Sequence, residues 1–185
     1  DDNTFCNSKD RSAYLKMIGK FLIESKEWHL LIKAHPKDRA YTKDEWSNFL
    51  GINVNSKYFS ITKKLPLELA SISDFGLSFV SDCCVDFACF GKPMIELTSI
   101  ENIRYKNSTP FYDNEGNPVT GLTSQKMSFN IKNPKELKLF LDNLNNRIKF
   151  LSKESKMAYK YCYGQWSYKP GMFLDLIDQI MFSRM

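Results

Sequence analysis

Short apolar runs that stop at Pro or Gly, alternating with segments of helical period, constrain this chain more than any other feature. Residues 28–34 are almost continuously apolar and end at His35-Pro36, a length and boundary that favour a buried parallel strand over a helix. Tyr58-Phe59-Ser60-Ile61, Phe75-Gly76-Leu77-Ser78-Phe79-Val80 and Met94-Ile95-Glu96-Leu97 read the same way. Between them lie helical segments. In residues 11–24 the apolar Tyr14, Leu15, Ile18, Phe21 and Leu22 recur at three- and four-residue steps, one face of a helix. Residues 42–50 open on Thr42 with Glu45 as capping-box partner and close on Gly51. Residues 66–72 carry Pro66 at a first helical position, and residues 82–90 follow Ser81 as cap and stop at Gly91-Lys92-Pro93. Parallel strands need crossover connections, and helices are the usual ones. The expected fold is therefore α/β, a Rossmann-like three-layer sandwich with a mostly parallel sheet.

The remainder is less regular. Residues 98–125 are rich in Asn, Thr, Gly and Pro, and a connection that long is usually functional or mobile. A short segment around residues 127–131 precedes a helix opened by Asn133-Pro134, with Leu137, Phe140, Leu141, Leu144, Ile148 and Leu151 as its buried stripe. Further helices are expected over residues 153–163 and 172–182, separated by Lys169-Pro170-Gly171. No linker divides the chain, so residues 1–185 are read as one domain.

Composition narrows the class. With 185 residues and 43% hydrophobic content the chain can bury one sizeable core. The net charge of +5 is spread along the chain and no nucleic-acid-reading motif accompanies it, so nucleic acid is not expected as a partner, whereas an anionic ligand or a membrane surface is compatible. Cys6, Cys83, Cys84, Cys89 and Cys162 are odd in number and frame no loops, which excludes a disulfide scaffold and points to a reducing cytosol. Cys83, Cys84 and Cys89 read as small buried apolar residues. With two histidines and no zinc spacing, no metal is expected. The apolar runs fall short of the ~20 residues that cross a bilayer, and Asp1-Asp2-Asn3 does not open a signal peptide.

Two strand ends carry candidate chemistry, because ligands of open parallel sheets sit beyond the carboxyl ends of strands. The first is Lys33-Ala34-His35-Pro36-Lys37-Asp38-Arg39, an imidazole with three cations; the second is Ser81-Asp82-Cys83, where a strand meets a helix start whose free N–H groups favour an anion. A phosphate needs several converging donors. His35, the Ser81 hydroxyl and the N–H groups of Asp82 and Cys83 are assigned to hold it, with Lys33, Lys37 or Arg39 neutralising its charge. Alone, His35-Pro36 is a strand terminator and Ser81 a simple cap; their joint occurrence turns the reading toward a site. Asp86 reads equally as an exposed helix carboxylate or as a contact for ribose or donor sugar. Glu96 stands at a strand end from which it could reach the crevice, but it reads more simply as a strand-end surface charge, and His29 as a packed or edge histidine. Tyr159, Tyr161, Tyr163, Trp166 and Tyr168 make an aromatic C-terminal segment suited to terminal packing or to a membrane-facing or inter-domain surface.

Leu31-Ile32-Lys33-Ala34-His35-Pro36-Lys37-Asp38, then Leu65-Pro66-Leu67-Glu68-Leu69, then Leu77-Ser78-Phe79-Val80-Ser81 with Asp86 and Gly91-Lys92-Pro93-Met94-Ile95-Glu96 resemble the C-terminal half of bacterial capsule and surface-polysaccharide glycosyltransferases of the GT-B fold. The layout is similar to sialyltransferases with an HP motif, to Kdo transferases and to teichoic-acid glycerophosphotransferases. The resemblance implies that His35 and Ser81 contact the donor phosphate, with Lys33, Pro36, Asp82, Cys83 and Asp86 around the donor, and that no metal or other cofactor is used. It implies transfer from a CMP- or UDP-linked sugar to a glycan or glycolipid acceptor in the cytoplasm, at or near the inner face of the membrane. The general base is then expected on a separate N-terminal domain, toward which residues from about 153 to 185 pack. Where many relatives have two adjacent hydroxyl residues, this chain has Ser81-Asp82. A glycerophosphotransferase or UDP-sugar epimerase reuses the same phosphate-binding half; a non-catalytic Rossmann-like interaction domain is the alternative of another class.

Overall fold

The computed structural model describes residues 6–35, 39–99, 111–116 and 119–163. The elements run α1 (Ser8–Ser25), β1 (Leu30–Ile32), α2 (Lys43–Leu50), β2 (Phe59–Ile61), α3 (Pro66–Ile72), β3 (Gly76–Ser78), α4 (Cys84–Cys89), β4 (Met94–Leu97), α5 (Gly121–Ser124), β5 (Ser128–Ile131), α6 (Pro134–Asp142) and α7 (Leu144–Tyr163). Among the described residues β1 to β5 pair in parallel and form two ladders, β1-β2 and β3-β4-β5.

Local chemistry accounts for most boundaries. α1 begins where the Asn7 side chain accepts the Asp10 N–H at 2.8 Å and ends at Lys26 in the left-handed region, whose N–H bonds Leu22 O. α2 has the expected capping box, with Thr42 Oγ1 accepting the Glu45 N–H at 3.2 Å and Glu45 Oε2 accepting the Thr42 N–H at 2.8 Å. The loss of that cap in Thr42→Ala is expected to lower stability by about 1 kcal/mol, read as a shift in urea midpoint at constant slope. Gly51, left-handed at φ 66°, closes α2.

Differences from the sequence expectations are local. The stripe from Leu137 to Leu151 belongs to two helices, because α6 stops at Asn143, which leaves the helical path at ψ 26° and bonds back to Phe140 and Leu141 carbonyls. α7 absorbs the separate helix expected over residues 153–163. Residues 128–131 form a full strand on the edge of the larger ladder, and residues 121–124 form a short helix in a stretch read as irregular. The helix expected over residues 172–182 and the Trp166 and Tyr168 rings lie outside the described residues.

Side-chain alternation along the larger ladder assigns its two faces. Ile95, Leu97 and Ile131 join Tyr14, Ile18 and Leu22 of α1 and Leu137, Phe140 and Leu141 of α6 in one core. Ile32 and Phe59 of the smaller ladder belong to the same core, so both ladders share it. On the opposite face Met94 meets Ala70 of α3 and Cys84 and Phe87 of α4. Helices therefore cover the β3-β4-β5 ladder on both sides, with α2 packed on α1 and α7 packed on α4. Trp28 stands edge-on to Phe75 with ring centroids 5.7 Å apart, which ties the amino ends of β1 and β3 together.

Candidate functional site

The carboxyl end of the larger ladder holds a polar row in an otherwise apolar sheet. The register pairs Ser78 with Glu96 and Glu96 with Asn130, so these three side chains share a face. It is the face of Met94, the one toward α4. Every residue of β4 is buried, and Glu96 has no exposure at all (0%). This corrects the reading of Glu96 as a surface charge: β4 is the central strand of its ladder, so a side chain on it meets protein on both flanks.

Hydroxyl groups surround one carboxylate oxygen. Thr120 Oγ1 and Thr123 Oγ1 each donate to Glu96 Oε2 at 2.8 Å, and Ser128 Oγ lies 2.8 Å from Thr123 Oγ1. Thr120 also caps α5, accepting the Thr123 N–H, so a single threonine starts the helix and binds the carboxylate. Beside this cage Thr98 Oγ1 donates to Asn130 Oδ1 at 2.7 Å. The other carboxylate oxygen, Glu96 Oε1, and the Ser78 hydroxyl on the adjacent strand are both buried without a hydrogen-bond partner among the described residues. Among the described residues Glu96 has no cationic partner. Two unsatisfied polar atoms on neighbouring strands are unusual, since buried polar groups are nearly always bonded.

The turn from β3 to α4 adjoins this row. Val80 is held at φ 81°, a conformation costly for a β-branched residue, of the order of 1–3 kcal/mol, and typical of functional turns. Ser81 follows. The serine does not cap α4 directly: Cys84 N–H bonds Ser81 O at 3.5 Å and Val85 N–H bonds Asp82 O at 3.2 Å, a tight entry that delays the helix to Cys84 and leaves Cys83 at the cap position. Ser81 Oγ instead accepts the Cys83 N–H at 3.3 Å. The Cys83 N–H is therefore engaged within the turn. Asp82 is exposed. The Cys84 thiol is pushed up to about 12, first by burial and then by the charges of Glu96 and Asp82. That makes it an inert packing residue and places both carboxylates near the start of α4. Asp86 is half-buried, and burial raises its carboxyl above the usual range. Its charge reaches Tyr159 on α7, a phenol pushed up to about 12 mainly by burial and then by its bond to Cys89.

His35 stands exposed beyond β1, at the carboxyl end of the smaller ladder. The Lys33 ammonium bonds Ala34 O at 3.3 Å. Pro36, Lys37 and Asp38 lie outside the described residues. Arg39 is committed elsewhere: it pairs with Glu45 at 2.6 Å and stacks over the Tyr41 ring at 4.5 Å. The bond to Glu45 is the main cause of its raised pKa, and the pair ties Arg39 to the first turn of α2. His29 bridges Lys57 O and Ser60 Oγ at 2.8 and 2.9 Å, an edge histidine that pins β1 to β2. Among the described residues no cluster of three His, Cys, Asp or Glu side chains could hold a metal ion.

The structure thus groups Ser81, Asp82 and Cys83 with Ser78 and Glu96 at the end of β3-β4, while Lys33 and His35 belong to the end of β1. Lys132 pins residues Asp113 and Glu115 to the end of β5 through ion pairs of 2.9 and 2.7 Å. An open depression lined by Ile23, Ile52, Asn53, Asn55, Ser56 and Tyr58 lies near the amino end of β2, away from these groups. Comparison with protein-family models, curated proteins and solved structures gives no match to this chain.

Proposed function

We propose that this domain binds a nucleotide-activated sugar, as the donor-binding half of a glycosyltransferase of the GT-B arrangement. The observation that carries the reading is the strained turn at the carboxyl end of β3, where Val80 at φ 81° presents Ser81 and the Asp82 N–H. Carboxyl ends of parallel strands are where such folds bind ligands.

In this proposal the leaving phosphate is held by discrete donors: the His35 imidazole, the Lys33 ammonium, the Ser81 hydroxyl and the Asp82 N–H. α4 has only six residues, so its dipole adds little. Stabilising charge on the departing phosphate is the chemistry these groups supply. The Asp82 carboxylate repels a phosphate and is suited to sugar hydroxyls instead.

Calorimetric titration with CMP, UDP and CDP, each against its nucleoside, tests the reading. One nucleotide is expected to bind at least about tenfold more tightly than its nucleoside, and His35→Ala and Ser81→Ala are each expected to weaken it by about tenfold, the scale of one charge-assisted hydrogen bond. Both side chains lie outside the core, so folding should be intact. If no nucleotide shows phosphate-dependent affinity, the domain is an interaction module and the donor-binding role is lost.

A further inference from the structure

The outer face of α7 carries features that the donor site does not use. Phe150, Met157 and Tyr161 are 59%, 57% and 92% exposed. Their spacing of seven and four residues places them within a stripe about 40° wide on the helix. Lys149, Lys153 and Lys160 form a second exposed stripe alongside, with Arg147 and Lys156 exposed on the same helix. Against these five cations α7 has a single acidic residue, Glu154. Its inner face is already occupied, since Leu144, Ser155 and Ala158 are buried, Ala158 packs with Ala88 and Met127, and Ser155 Oγ bonds Lys92 O.

An ordinary solvated helix face is polar, with exposed apolar residues scattered rather than aligned. An apolar ridge beside a cationic one is the pattern of a helix lying in a bilayer interface: rings enter the acyl boundary while lysine stems reach back to anionic headgroups. Among the described residues no helix is long and apolar enough to cross a membrane, so contact through α7 is parallel to the surface. We propose that the outer face of α7 docks this domain on an anionic lipid surface, with Phe150, Met157 and Tyr161 inserted and Lys149, Lys153 and Lys160 paired with headgroups. The proposal is independent of the donor-binding reading.

Co-sedimentation of the 185-residue chain with vesicles of phosphatidylcholine, alone or mixed with phosphatidylglycerol, tests it. Binding is expected only to the anionic vesicles and should fall steeply in concentrated salt, as surface electrostatics requires. Two triple variants, Phe150→Ser/Met157→Ser/Tyr161→Ser and Lys149→Glu/Lys153→Glu/Lys160→Glu, are each expected to lower the partition coefficient by at least about tenfold, with circular dichroism unchanged because all six side chains are exposed. The salt and lipid arms use the unaltered chain and stand even where a variant misfolds. Absence of binding to anionic vesicles, equal binding to both vesicle types, or binding unaffected in the folded variants overturns the proposal. So does a soluble dimer that the apolar variant dissociates, which would assign the face to a second copy of the chain.

Discussion

Glu96→Gln is expected to stabilise the domain, by about 1–2 kcal/mol. The carboxylate has no exposure, no cationic partner among the described residues, and one oxygen without a hydrogen bond. A buried charge in that position costs stability that two threonine hydroxyls only partly offset. Glutamine has the same shape and keeps a carbonyl oxygen for Thr120 and Thr123, so it removes the charge and leaves the cage. For a chain of this length the gain corresponds to a rise of roughly 3–6 °C in melting temperature. A lower melting temperature for the glutamine variant would show that the carboxylate serves to hold α5 on the ladder.

Gly19→Ala should have the largest destabilising effect, about 2–3 kcal/mol. Helix propensity alone predicts the opposite sign, a gain of up to about 1 kcal/mol for alanine inside α1. The structure reverses it. A Cβ on Gly19 would lie 1.9 Å from Leu50 O and 2.8 Å from Leu50 C, backbone atoms at the end of α2 that have no rotamer through which to yield. α1 and α2 must separate to admit the methyl group. The consequence extends to the carboxyl edge of the larger ladder, because Tyr14 on α1 donates from its hydroxyl to Thr98 O at 2.5 Å at the end of β4. Thermal unfolding followed by circular dichroism should show a fall of roughly 5–10 °C. An unchanged or higher midpoint would mean that propensity governs and that the close approach of α1 to α2 is not a feature of the folded chain.

Elements whose cause is local were readable from the residues. α3 occupies the seven residues bounded by Pro66 and Ile72, α2 starts at the Thr42–Glu45 box and stops at Gly51, and β4 follows Gly91-Lys92-Pro93. Each depends on a cap, a ring or a glycine acting within a few residues. The break at Asn143 was not readable, because the apolar period continues unbroken through it and only the different partners of α6 and α7 divide it. The two-ladder arrangement was also hidden, since pairing between strands distant in sequence leaves no mark on either strand.

The candidate site divides along the same line. Ser81 was visible as a hydroxyl between a strand and a helix, although its bond to the Cys83 N–H depends on the tight entry to α4. Glu96 carried a signal that could have been followed: a carboxylate flanked by Ile95 and Leu97, inside a run otherwise read as buried, is inconsistent with a surface charge. Arg39 looked like a phosphate ligand because its pairing with Glu45 crosses a helix start.

From its residues alone this chain was bound to form alternating short strands and helices around one core, because period, caps and breakers act over a few bonds. Which strand became central, which carboxylate was removed from water and which side chains of α7 stand exposed among the described residues were decided only on folding. Burial is a property of neighbours brought from distant parts of the chain, and Thr120, Thr123 and Ser78 become neighbours of Glu96 only when the ladder is assembled.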